Sequence, residues 1–192
     1  MRVELFEVEG MGPVLVVAGS LRQGRRSFRV AEYVHDKLAR LTTDEIVLLD
    51  PRDFAAIPPF DQVTQTDLTR RLAETFAAAS AFVFVVPEWH AGIPGHLKNM
   101  LDYLGADHFW GKPAAIITVS SASGGPNVAS SLRDVLGVLG ATLVAPFVYV
   151  RNIKTAWDEE TGRLAEERID AAIDMALRKL LQVRETTIGA RA

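Results

Sequence analysis

Short runs of β-branched and aromatic residues punctuate the chain at residues 14–18, 82–86, 114–119 and 143–150. They carry few internal charges, as strands covered on both faces require. A shorter run, 46–49, follows Asp44-Glu45 and suits a strand nearer a sheet edge. Between these runs, apolar residues recur at three- and four-residue steps, the period of a helix with one buried face. The first such stretch carries Val30, Val34, Leu38 and Leu41, and the second Leu68, Leu72 and Phe76. The third carries Leu97, Leu101 and Leu104, with Pro94 where a first-turn proline is tolerated. The fourth carries Val128, Leu132, Val135, Leu136 and Leu139 and meets a C-terminal stop at Gly140. The last carries Ile169, Ile173, Leu177 and Leu180.

Five strands alternating with five helices predict an α/β fold, a three-layer, doubly wound parallel sheet. For a chain of 192 residues the flavodoxin-like strand order 2-1-3-4-5 leads, with right-handed crossovers. Such a sheet binds its ligand where the strand order reverses, outside the carboxyl ends of strands 1 and 3. A chain of this length is most simply one domain, expected at residues 14–183, between an N-terminal extension at 1–13 and a C-terminal tail at 184–192. Residues 50–62, with Pro51, Pro58 and Pro59, read as a long strand-to-helix loop.

Composition narrows the chemistry. There is no cysteine, which removes disulfides, thiolate metal sites and cysteine nucleophiles together. A net charge of −3 offers no long-range attraction to nucleic acid, so any arginine cluster is a local device. Residues 1–9 alternate apolar and acidic side chains without the apolar core of a signal peptide. No apolar run approaches the roughly 20 residues of a membrane span. The expectation is a cytoplasmic protein without nucleic-acid or membrane partners.

Three loops on the predicted carboxyl edge carry the candidate chemistry. After strand 1, Gly19-Ser20-Leu21-Arg22-Gln23-Gly24-Arg25-Arg26-Ser27 leads directly into a helix. A helix N-terminus presents free N–H groups and a positive dipole end, and arginine adds forks that match phosphate oxygens. Arginines there oppose the dipole unless an anion is bound, so Ser20, Arg22, Arg25 and Ser27 are expected to grip a phosphate. Arg26 and Arg29 can equally face solvent or a partner subunit. After strand 3, Pro87-Glu88-Trp89-His90-Ala91-Gly92-Ile93-Pro94 forms a rigid turn in which Trp89 is either an aromatic platform or a rim and subunit contact. His90 and His96 lack a third ligand at sensible spacing, so no metal is expected. After strand 4, Ser120-Ser121-Ala122-Ser123-Gly124-Gly125 lets a ligand edge approach the main chain. The segment 105–113 is not a P-loop: its glycine spacing is one residue too long, and Pro113 replaces the magnesium-binding hydroxyl. No Gly-x-Ser-x-Gly elbow is present.

At these loops the chain resembles the NADPH-dependent FMN reductase family, whose relatives include quinone, azo-dye and chromate reductases. Gly19-Ser20-Leu21-Arg22-x-x-Arg25 is similar to that family's phosphate loop. Pro87-Glu88-Trp89-His90, then Pro94-Gly95-x-Leu97-Lys98-Asn99-x-x-Asp102-Tyr103-Leu104, resembles its longer signature. Trp89 stands where tyrosine is usual and His90 where asparagine is usual, which bears on substrate preference and ring contacts. The resemblance implies that Ser20, Arg22, Arg25 and Ser27 bind the FMN phosphate. Pro87, Glu88, Trp89 and His90 would lie along the ribityl chain and ring, and Ser121, Gly124 and Gly125 near the ring's other edge. It also implies a homodimer or homotetramer.

The function so implied is an FMN-dependent NAD(P)H oxidoreductase that passes two electrons to a quinone or similar acceptor. The flavin carries that chemistry, so no general acid or base is nominated. Rival readings are a reductase that releases reduced FMN to a monooxygenase, a flavodoxin-like electron carrier, and a flavin-free interaction domain. A carrier favours a strongly acidic surface, which a charge of −3 does not supply.

Overall fold

The computed structural model describes residues 12–189. The expected extension at 1–13 therefore lies largely outside the described residues. In chain order the elements are β1 (Val14–Ala18), α1 (Arg26–Leu41), β2 (Ile46–Leu49) and a 3₁₀ turn (Pro51–Phe54). Next come α2 (Asp67–Ala78), β3 (Ala81–Pro87), α3 (Gly95–Asp102), the single-turn α4 (Ala106–Phe109) and β4 (Pro113–Val119). The chain continues through α5 (Pro126–Val138), β5 (Thr142–Leu143), β6 (Val148–Val150) and the single-turn α6 (Ile153–Ala156). It closes with a hairpin, β7 (Trp157–Asp158) and β8 (Arg163–Leu164), and α7 (Glu167–Gly189).

The strands form a parallel sheet in the order β2-β1-β3-β4-β5, as the alternation of strands and helices predicts. Val14 faces Ile46 on one side and Ala81 on the other, so the chain passes from β2 back over β1 to reach β3. That reversal parts the loops after β1 and β3 and opens a crevice between them. Every residue of β1 is buried because alternate side chains enter two different cores. Val14, Val16 and Ala18 join Val30, Val34 and Leu38 of α1 and Ile173, Leu177 and Leu180 of α7. Leu15 and Val17 join Leu72 and Phe76 of α2, Leu97 of α3 and Leu132 of α5. Each fully buried large aliphatic side chain contributes about 1.5–3 kcal/mol.

Two expectations need correction. The run 143–150 is two strands, because Pro146 has no N–H for the ladder. β5 pairs with the start of β4 (Leu143 opposite Ala114) and β6 with its end (Val148 opposite Ile117). The chain advances five residues there while β4 advances three, so two residues loop out. The last helix also continues beyond residue 183, through part of the expected tail, to Gly189. Arg184 holds it down: only 1% exposed, it donates to Asp44 Oδ2 at 2.6 Å and to the Gly12 carbonyl at 3.2 Å.

Candidate active site

β1 ends at Ala18, and at Gly19 a side chain would stand 2.9 Å from Val86 Cγ1, so only glycine lets the first loop leave against β3. The Ser20 hydroxyl turns back to accept the Arg22 N–H at 3.2 Å. α1 then starts with no side-chain cap and no acidic residue in its first turn. Its leading N–H groups and positive dipole end stay available to an anion.

The arginines of this loop divide into two roles. Arg25 points inward, and its side chain is 6% exposed. Its guanidinium takes both oxygens of Asp50 in a two-pronged ion pair and donates to the Ser20 carbonyl at 2.6 Å. It also lies over the Phe28 ring, 4.0 Å from the centroid. Burial pushes the Asp50 carboxyl up, but Arg25 and the Arg52 N–H outweigh it and hold the group below the ordinary carboxylate value. Arg52 reaches in from the other side, donating to the Arg22 carbonyl at 2.9 Å and the Leu21 carbonyl at 3.3 Å. Arg25 therefore has its charge committed to shaping the loop. Arg22, by contrast, is exposed and makes no ion pair among the described residues; its guanidinium lies 5.8 Å from the centre of the Trp89 ring.

The loop after β3 closes through a tight turn in which Trp89 and Gly92 exchange both backbone hydrogen bonds, at 3.1 and 2.9 Å. His90 and Ala91 both take left-handed backbone there (φ 47° and 60°), a conformation costly for non-glycine residues. Trp89 remains 42% exposed. The long signature that follows is mostly scaffold. Asn99 donates to the Pro58 carbonyl and accepts from the Phe60 N–H, each at 2.8 Å, and Tyr103 adds a 3.2 Å bond to the same Pro58 carbonyl. Lys98 pairs with Asp102 one turn on. These bonds hold the 50–62 loop against α3. Burial lowers the His96 pKa, opposed by its bond to the Pro51 carbonyl.

The loop after β4 is folded by Ser120, whose hydroxyl accepts the N–H groups of Ala122 (3.1 Å) and Gly124 (2.7 Å). Gly124 and Gly125 adopt φ of 87° and 84°. A side chain on Gly124 would meet Tyr149 Cβ at 2.8 Å. The Thr118 hydroxyl donates to the Gly124 carbonyl and ties this loop to its own strand.

Together the loops enclose a cavity of about 350 Å³ at the switch point. Eight of the residues singled out from the sequence line it: Ser20, Arg22, Arg25, Ser27, Pro87, Glu88, Trp89 and Ser121. His90, Gly124 and Gly125 do not; they shape the turns behind the wall. The lining adds Arg26, Ser120 and Lys154, the last carried by α6, which sequence reading did not connect to the site. Arg26 and Lys154 pair with no carboxylate among the described residues. The set suits a phosphorylated, planar ligand such as FMN: two small buried hydroxyls, an open helix N-terminus, unpaired cations and an exposed indole. Among the described residues no three His, Asp or Glu side chains converge as metal ligands.

The chain is similar to known proteins in sequence and in fold. The chain is 34% identical over 136 residues to an NAD(P)H-dependent FMN reductase of Schizosaccharomyces pombe, covering 66% of each chain. It is 30% identical over 149 residues to another from a Nectria species, covering 71% of this chain and 73% of that one. A quinone reductase of Escherichia coli is 29% identical over 164 residues, 80% of this chain and 85% of its own. Among solved structures, the flavoenzyme FerB of Paracoccus denitrificans superposes with a TM-score of 0.77 at 22% identity, over 92% of this chain and 99% of that one. An archaeal flavodoxin gives 0.61 at 12% identity, over 90% and 99%, and shows the same fold. The profile of the NADPH-dependent FMN reductase family matches residues 13–155, and the chain belongs to that family.

Proposed function

We propose that the cavity binds FMN with its phosphate at the N-terminus of α1, and that the protein oxidises NADPH or NADH and delivers two electrons to a quinone or similar acceptor. Bound FMN would supply the hydride-accepting ring. Ser20, Ser27 and the leading N–H groups of α1 hold the phosphate, and Arg22 supplies the mobile counter-charge. Arg25 acts from behind by setting the loop's shape. Pro87 and Trp89 form one wall for the ring, and Ser120 and Ser121 the other. The single observation that carries this reading is the open N-terminus of α1 in one cavity with Arg22, Arg26 and Lys154, none of which pairs with a carboxylate among the described residues. The acceptor class follows relatives named quinone reductase and 2-hydroxy-1,4-benzoquinone reductase. We also propose a homo-oligomer, a homodimer or a homotetramer, in which exposed apolar side chains such as Phe60 (40%) and Val63 (82%) would be candidates for subunit contacts. No described helix is long and apolar enough to cross a membrane.

The test is to titrate the flavin-free protein with FMN, then add NADPH or NADH without oxygen, then a quinone. Saturable FMN binding, bleaching by a nucleotide and recovery on quinone addition are expected. Bound flavin that neither nucleotide bleaches would replace this reading with an electron carrier. Turnover of free FMN without retention would replace it with a supplier of reduced flavin.

A further inference from the structure

Two long helices, α1 and α5, begin on the same edge of the sheet, and their N-termini are treated oppositely. α1 is left open. α5 begins at Pro126 after Gly125, which offers no capping side chain, and its first turn contains no acidic residue. Its N–H groups can be accounted for one by one. Pro126 has none. Ala129 donates to the Gly125 carbonyl at 3.1 Å, inside the helix. The two remaining, on Asn127 and Val128, both donate to Glu88 Oε2, at 3.0 and 3.2 Å. Glu88 belongs to a different loop, after β3, and its own N–H donates to the Val119 carbonyl at the end of β4 at 3.2 Å. A side chain on Gly125 would stand 3.4 Å from Glu88 Cβ, so the two loops are in contact as well as hydrogen-bonded.

We infer that Glu88 is a positioning residue: its carboxylate bolts the loop after β3 to the start of α5, fixing the two walls of the cavity relative to each other, and cancels the positive end of α5 there. The first part rests on contacts within the protein alone. The second rests on the FMN reading, because it concerns the field felt by a flavin ring between those walls. A carboxylate at a helix N-terminus neutralises the terminal partial charge. The cavity is then left with one strong anion-binding end, at α1, so a phosphate has a single place to dock. A flavin whose reduced form carries negative charge would be stabilised by an uncovered α5 and disfavoured by the Glu88 charge.

Glu88→Ala and Glu88→Gln separate the bolt from the charge. In flavin-free protein, amide exchange at Asn127 and Val128 is expected to accelerate at least about tenfold in Glu88→Ala, which leaves both groups without an acceptor. Glu88→Gln keeps an oxygen in place and should retain most of the protection. Unchanged exchange in Glu88→Ala overturns the bolt. In flavin-loaded protein, the midpoint potential of Glu88→Gln should move positive of the parent's, and an unmoved potential overturns the charge role. If the parent binds no FMN, the FMN reading and the charge role fail together, while the exchange result still decides the bolt. A variant too unstable to purify is replaced by Glu88→Asp, whose shorter reach should release one amide and protect the other.

Discussion

Replacing Asp50 with alanine should unfold the protein earlier and weaken FMN binding, although Asp50 does not line the cavity. The Arg25 side chain is 6% exposed and that of Asp50 24%. Removing the carboxylate strands a buried guanidinium with the Ser20 carbonyl as its remaining acceptor. Breaking a fully buried pair costs about 3–5 kcal/mol, and access of water to the Asp50 side places this one nearer 2–3 kcal/mol. At about 2–4 °C per kcal/mol for a chain of this size, the melting temperature should fall by about 4–12 °C. The pH dependence has a definite sign. The folded carboxyl sits below its unfolded value of about 3.9, so the pair stabilises fully above that pH. Its contribution disappears as the pH falls through the folded value, and the alanine variant should lack that component of acid destabilisation. FMN affinity, read by fluorescence quenching at neutral pH, should weaken by about tenfold as Ser20 and Arg22 lose their fixed backbone. A melting temperature within about 1 °C of the parent's, with unchanged FMN affinity, would refute the reasoning, because the pair would then hold neither fold nor loop.

The two loop arginines should part company in the same assays. Arg22→Ala should weaken FMN binding about tenfold to a hundredfold with little change in melting temperature, since its side chain is exposed and makes no ion pair among the described residues; Arg25→Ala should lower both. Gly124→Ala should cost about 1–3 kcal/mol, measured by urea denaturation, because φ of 87° and the nearby Tyr149 Cβ both oppose a side chain.

Much of the molecule is local in origin and could be read from residue order. Alternation of apolar runs with three- and four-residue periodicity specified the layers, and β1 is buried throughout as a doubly covered strand must be. The switch-point rule then indicated which loops hold the cavity, and most of the named side chains line it. What residue order did not decide was how each polar side chain is spent, because that depends on partners distant in sequence. Arg25 looked like Arg22, yet an aspartate 25 residues away takes its charge. Glu88 looked like a ligand contact, and it lines the cavity, but two amides 39 and 40 residues on also claim one of its oxygens. Lys154 drew no notice in sequence because it lies on α6, a single turn beyond the interrupted fifth strand, yet it lines the cavity. Hydrophobic periodicity is a property of neighbours along the chain. The balance of charge in a cavity is set by groups that only the closed sheet brings together.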